Sequence, residues 1–141
     1  MHHYRKTIKQ YQALNEGDKA MEGCTFCREV GGPKIRRETA TMFIIPNRVK
    51  YDMFEGRRVL DHLMVIPKRH LGSIDNFTDQ EKIEQMTIAG EYEAKGYNIY
   101  ARGKGSISRS VDHQHTHLIK LSDKKPGIIF FAERPRILFD L

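Results

Sequence analysis

The segment Asp112-His113-Gln114-His115-Thr116-His117-Leu118-Ile119 places three imidazoles at every second position. On a strand, alternate side chains point to one face, so the three rings would stand in a row, neighbours roughly 6–7 Å apart. Such a row has three chemical uses. All three rings can converge on one zinc ion that keeps an open position. They can form a general acid–base network, in which partners fix each tautomer. Or one ring can act as a nucleophile, provided nearby donors hold a phosphate. The bland alternative is a solvated histidine stripe.

The preceding loop, Arg102–Ser110, carries such donors. Gly103 and Gly105 let the backbone approach closely. Ser106, Ser108 and Ser110 offer hydroxyls, and Arg102, Lys104 and Arg109 offer positive charge, so the loop reads as a phosphate cradle. A second chemical unit is Cys24-Thr25-Phe26-Cys27, which holds both cysteines of the chain. Two thiolates with two further ligands, His70 and His113 being the candidates, would make a closed Cys₂His₂ zinc site of structural type. The rival is a redox dithiol, for which the usual βαβ context is missing.

These groups need a scaffold. At 141 residues, 39% hydrophobic and 30% charged, the chain suits one soluble globular domain. No apolar run approaches the roughly 20 residues that cross a bilayer. No apolar stretch follows Met1–Lys6 either, so the expected location is the cytoplasm. The net charge of +6 fits an anionic ligand without choosing which.

Residues 1–22 read as a helical N-terminal extension, with Tyr4, Ile8, Tyr11 and Leu14 at near-helical spacing, ahead of a domain over 23–141. Strands are expected at Thr39–Ile45, His62–Pro67, Asn98–Ala101 and His115–Leu121, with one more, or a docked tail, at Ile128–Ala132. Residues 46–60 read as a long basic loop. The capping-box pattern Thr78-Asp79-Gln80-Glu81 opens a helix that runs to about Lys95 and ends at Gly96. The sum is an α+β domain: a largely antiparallel sheet of about five strands, one long helix and a short N-terminal one.

Taken together, four segments resemble the histidine-triad (HIT) superfamily. His113–Ile119 is similar to its His-x-His-x-His signature, Cys24–Cys27 to its zinc knuckle, His62-Leu63-Met64-Val65-Ile66-Pro67-Lys68-Arg69-His70 to its histidine-led strand, and Phe77–Glu81 to the start of its long helix. The resemblance spans about residues 24–119. It implies an α+β domain that often pairs into a dimer with a continuous sheet. It also implies a nucleotide phosphoanhydride or phosphoramidate hydrolase, or a phosphorylase, working through a nucleotidyl-histidine intermediate on His115. By the same match His117 contacts the phosphate or assists the leaving group, Ser110 holds a leaving-group hydroxyl, and Cys24, Cys27, His70 and His113 occupy the zinc positions. The implied substrate is a purine nucleotide or dinucleoside polyphosphate.

The chain departs from the superfamily pattern in several places. Gln114 and Thr116 replace the usual apolar residues between the histidines. Asn47 stands where many members place an Asp for the ribose, and is expected to bind the ribose hydroxyls. Arg102 falls where many have Asn, and is expected with Ser108 and Arg109 on the substrate. The segment Arg48–Asp61 is longer and more basic than usual, and Asp61 replaces a typical Gly. Two other readings stand beside the enzyme. One is a nucleotide- or RNA-binding module using Arg48, Lys50, Arg57, Arg58, Lys68 and Arg69. The other is a zinc protein or thiol oxidoreductase that ignores His115.

Overall fold

A computed structural model describes residues 3, 5–20, 22–124, 128–131 and 136–139. Helix α1 (Arg5–Ala20) occupies the N-terminal extension. Strand β1 (Arg37–Glu38) turns through Thr39–Thr41 into β2 (Met42–Pro46), and β3 (Met53–Phe54) forms a hairpin with β4 (Arg57–Pro67). Helix α2 (Asp79–Glu93) follows, then β5 (Tyr97–Ala101) and β6 (Thr116–Leu121). These six strands make one antiparallel sheet in the order β1-β2-β4-β6-β5, with β3 on β4. A separate two-stranded sheet joins β7 (Ile128–Phe131) to β8 (Arg136–Phe139). The α+β class is as expected. Ala132, assigned to the last expected strand, lies outside the described residues, as does part of the tail beyond it.

Two features differ from expectation. Residues 46–60 are not one loop, because Glu55 and Gly56 both adopt positive φ, at 50° and 68°, and close a two-residue hairpin. That geometry matches the right-handed twist of the flanking strands. Glycine takes it freely, whereas Glu55 takes it under constraint from the paired strands. Strand β4 therefore starts five residues before His62. It kinks once, at a register shift between Val59 and Asp61 that leaves Leu60 58% exposed. The other difference concerns the histidine strand. Ladder pairing begins at Thr116, so His113 and His115 sit on the irregular approach to β6. There Gln114 N–H donates to the Leu71 carbonyl at 2.7 Å instead of to a neighbouring strand.

The alternation of the central strands sorts the sheet into two faces. Met42, Ile44, Leu63, Val65 and Leu118 pack with Leu71, Phe77 and Ile88 beneath α2. Phe43, Ile45, Met64 and Ile66 pack on the other face with Phe26 from the Cys24–Cys27 knuckle. His62, Met64 and Ile66 share a face, and antiparallel pairing sets His117 opposite Met64 and Ile119 opposite His62. The histidines of β4 and β6 thus lie on the knuckle side, away from α2.

Helix α2 begins as its sequence dictates. The Thr78 hydroxyl accepts from Glu81 N–H at 3.2 Å, and the Glu81 carboxylate accepts from Thr78 N–H at 2.7 Å. Glu81 also holds Arg69 at 2.9 Å. Glu84 reaches the β1–β2 turn, accepting from the Thr39 hydroxyl at 2.5 Å and from Thr41 N–H at 2.9 Å. Among the described residues, no helix is long and apolar enough to cross a membrane.

Candidate active site

Four of the expected residues form a cluster of metal-ligand type. Cys24, Cys27, His70 and His113 present ligand atoms that all lie within 4.8 Å of one another. Cys24 Sγ lies 3.4 Å from His113 Nδ1, and Cys27 Sγ lies 3.4 Å from His70 Nδ1 and 3.6 Å from His113 Nδ1. In a tetrahedral site with metal–sulfur bonds of about 2.3 Å and metal–nitrogen bonds of about 2.05 Å, S···N edges come to about 3.5 Å. The separations here match. The second shell agrees too. His113 Nε2 lies 2.9 Å from the Pro67 carbonyl, which can only accept, so Nε2 carries the hydrogen and Nδ1 turns its lone pair to the sulfurs. The four residues are close enough to bind a metal ion.

Phe26 joins this cluster to the triad. Its ring meets His113 edge-on at 5.9 Å between centroids and His115 at 5.0 Å. His115 Nδ1 lies 2.8 Å from the His113 carbonyl, so that nitrogen is also the protonated one and Nε2 holds the free lone pair. Burial lowers the His115 pKa to about 4, against the pull of that carbonyl, and the charges of Arg109 and Arg102 lower it further. At neutral pH the ring is uncharged, with its basic nitrogen unprotonated.

His117 stands 5.0 Å from His115, ring to ring, and is tied behind to His62. His62 Nε2 and His117 Nδ1 are 2.9 Å apart, and Tyr51 N–H donates to His62 Nδ1 at 3.2 Å. A backbone amide can only donate. Hence His62 Nδ1 accepts, His62 Nε2–H donates to His117 Nδ1, and His117 presents Nε2–H forward. Burial is the main cause that lowers His62 to about 3 and His117 to about 2. His117 Nε2 lies 3.5 Å from the Tyr51 hydroxyl, whose oxygen accepts from Arg102 at 2.9 Å. Tyr51 is 4% exposed and its ring rests on His62 at 4.4 Å.

The remaining expected site residues are placed as follows. Asn47 follows β2 directly and lies beside His62, its side-chain nitrogen 3.3 Å from the imidazole and its side-chain oxygen accepting from Val49 N–H at 3.2 Å. Arg109 donates to the Gly72 carbonyl at 2.8 Å and the Val111 carbonyl at 3.1 Å, pinning the Gly/Ser loop, while its Nη2 is buried without a partner. Ser108 pairs with Ser106 at 2.9 Å on the exposed loop. Ser110 is exposed and, among the described residues, joins no histidine hydrogen bond. His62 and Tyr51 were not singled out from the sequence. The spacing of His62 from Asp112–Ile119 gives no hint of pairing, and Tyr51 lies in a segment whose composition resembles a basic loop. A groove of about 330 Å³ lined by Lys50, Asp52, Arg58 and Val59 adjoins Tyr51, but no triad histidine lines it.

Of the basic residues weighed for nucleic acid, Lys68 pairs with Glu38 at 2.7 Å, Arg69 with Glu81, and Arg57 donates to the Asp123 carbonyl at 2.8 Å. Arg48, Lys50 and Arg58 are exposed.

No family model matches the chain. It is similar to the adenosine 5′-monophosphoramidase HNT1 of Saccharomyces cerevisiae, 28% identical over 112 residues that span 75% of this chain and 67% of the relative. It is also similar to protein hit of Bacillus subtilis, 28% identical over 122 residues, 75% of this chain and 76% of that one. Among solved structures, a HIT family hydrolase from Clostridium thermocellum superposes with a TM-score of 0.56 at 20% identity, covering 78% of this chain and all of the other. A hypothetical histidine triad nucleotide-binding protein from Sulfolobus tokodaii gives 0.55 at 21% identity, over 83% of this chain and 81% of that one. With its sheet order and its three alternating histidines, the chain has the fold of these histidine-triad structures and is similar in sequence to these relatives.

Proposed function

We propose that the chain is a nucleotidyl hydrolase or transferase in which His115 Nε2 attacks the α-phosphorus of a purine nucleotide, either a nucleoside phosphoramidate or a dinucleoside polyphosphate. One observation carries the reading. The His113 carbonyl fixes the hydrogen of His115 on Nδ1, which leaves the other nitrogen unprotonated in a neutral, sheltered ring. A nucleophilic imidazole requires that state, and a binding module has no use for it. The amidase name of the yeast relative and the hydrolase name of the clostridial structure support the same class.

The other roles belong to the same proposal. His117, with Nε2–H forward, donates to the phosphoryl group, and the buried unpartnered Nη2 of Arg109 is available to one of its oxygens. Asn47 takes the ribose hydroxyls, and Ser108 and Arg102 complete the phosphate cradle. Cys24, Cys27, His70 and His113 would hold zinc. As a closed four-ligand site it would stiffen the knuckle and offer no open position to substrate. The N-terminal extension over 1–22 precedes a catalytic domain over 23–141, and the protein works in the cytoplasm.

We read the protein as a homodimer. Among the described residues strand β5 is an edge of the sheet, and its Ile99 is 40% exposed, while Ile83 and Met86 on the outer surface of α2 are 67% and 70% exposed. Sedimentation equilibrium should give a two-chain mass that Met86→Glu halves; a one-chain mass for the wild type would refute the dimer.

The function is tested by trapping. The protein is incubated with adenosine phosphoramidate or a diadenosine polyphosphate, with and without inorganic phosphate, and quenched for peptide mass spectrometry. An adenylyl group on His115, absent in His115→Ala, is expected, and phosphate dependence of product release identifies a phosphorylase. A folded, zinc-loaded protein that yields neither adduct nor product would overturn the reading in favour of nucleic-acid binding, tested by the salt dependence of RNA affinity.

A further inference from the structure

The hydrogen-bond directions expose a gap in this chemistry. When His115 displaces an amine from phosphorus, as with a phosphoramidate, the departing nitrogen needs a proton. His117 cannot supply one as it stands. Its Nδ1 is occupied as an acceptor, and the ring behind it, His62, has its own Nδ1 facing the Tyr51 N–H. No proton can enter the far end of this pair, so loss of the Nε2 proton would leave an imidazolate. The pair therefore donates a hydrogen bond and keeps its proton. Ser110, the expected leaving-group hydroxyl, is exposed and off the histidine network.

Tyr51 fills the gap. Its oxygen accepts from Arg102 at 2.9 Å and faces His117 Nε2–H at 3.5 Å, so its own hydrogen is left for a third partner. The ring is locked by His62 at 4.4 Å and by stacking on Phe54 at 6.3 Å, and the Arg102 guanidinium lies 5.9 Å from its centroid. Tyr51 is as sheltered as His115, at 4% against 5% exposure. We propose that Tyr51 is the general acid of this site, donating its phenolic proton to the leaving atom, and then the general base for water.

The proposal rests on nucleotidyl transfer to His115, and its steps balance. In the first, the His115 Nε2 lone pair forms a bond to phosphorus, the bond from phosphorus to the leaving nitrogen or oxygen breaks, and that atom takes the Tyr51 proton. The resulting phenolate is held by the Arg102 cation, which already donates to its oxygen, while His117 Nε2–H serves the phosphoryl group. In the second, water attacks phosphorus and returns a proton to Tyr51, while the bond from phosphorus to Nε2 breaks and restores the free imidazole. Burial raises the Tyr51 pKa to about 12, so the hydroxyl is protonated at the start and suited to leaving groups more basic than itself.

The test compares two adenylyl substrates that differ in their need for a proton. One releases nitrophenolate, which departs as a stable anion; the other is an alkylamine phosphoramidate, which cannot leave unprotonated. Tyr51→Phe keeps the ring contacts. It should lower kcat about 100-fold on the phosphoramidate and less than about threefold on the nitrophenyl ester, within the usual range for loss of an acid–base group. A purely structural tyrosine would lower both alike. Should Tyr51→Phe not fold, a wild-type series of adenylyl substrates with increasingly basic leaving groups stands in: the rate should fall little with leaving-group basicity, and a steep fall overturns the role of Tyr51. Equal losses on both substrates, or none, overturn the role of Tyr51 while adenylylated His115 keeps the function standing. Wild-type protein that cleaves neither substrate and forms no adduct overturns both.

Discussion

His62 is the residue on which the orientation of the site depends, and removing it has a cost that can be worked out. It is 2% exposed and serves two buried partners, the Tyr51 amide and His117 Nδ1. His62→Ala leaves both without a partner. Each costs about 1–3 kcal/mol, so about 2–6 kcal/mol is lost before counting the emptied ring volume. Against a total stability of about 5–15 kcal/mol for a domain this size, the variant should still fold. At about 2–4 °C per kcal/mol its Tm should fall by about 4–24 °C. Catalysis should suffer separately. With nothing holding His117 Nδ1 as an acceptor, the ring can take the other tautomer and present a lone pair forward. Phosphoryl stabilisation then drops, and kcat should fall about 10- to 100-fold while His115 still becomes adenylylated. His62→Gln retains one donor to His117 and should recover part of both losses. Differential scanning calorimetry and single-turnover kinetics give the two readings. A His62→Ala protein with unchanged Tm and turnover would show that the tautomer chain is not the one drawn here.

Other outcomes follow from the same structure. Cys24→Ser should reduce bound zinc and lower Tm while altering the chemical step less, read by metal analysis and single-turnover rates; equal zinc in variant and wild type would remove the metal from the site. Glu84 has its carboxyl held at about 2, first by the Thr39 hydroxyl and then by Gln80 and Thr41, against an ordinary value near 4.5. Its folded value is depressed, so its contribution is complete above about pH 4.5 and is lost as pH falls toward 2. Glu84→Gln should therefore flatten Tm against pH across that window and leave the curve above pH 5 parallel to wild type.

Much of this was legible from residue types because local chemistry decided it. Thr78 and Glu81 form the capping box their spacing announces, and Cys24, Cys27, His70 and His113 converge although 89 residues separate the outermost two. What stayed hidden was set by tertiary context. Met53 and Phe54 are too short a run to announce a strand, and Glu55-Gly56 lacks the Asn or Asp that usually marks such a turn. Reading that segment as loop concealed Tyr51. The triad was read as one strand with all rings aligned, whereas only His117 belongs to the ladder. His113 and His115 are aimed by a backbone carbonyl and a phenylalanine edge, neither of which leaves a periodic trace.

Arg69 sits between two structural commitments. Its neighbour His70 belongs to the Cys–His cluster, while its guanidinium grips Glu81, the residue that reciprocally caps α2 through Thr78. The stretch from 68 to 78 is thereby a strap fastened at both ends, and a strap released at one end loads the other. Local opening that frees His70 frees Arg69 with it and strips Glu81 of its cation, so the knuckle and the first turn of α2 behave as one cooperative unit. Amide protection at the start of the helix then reports on the state of a cluster on the opposite face of the sheet.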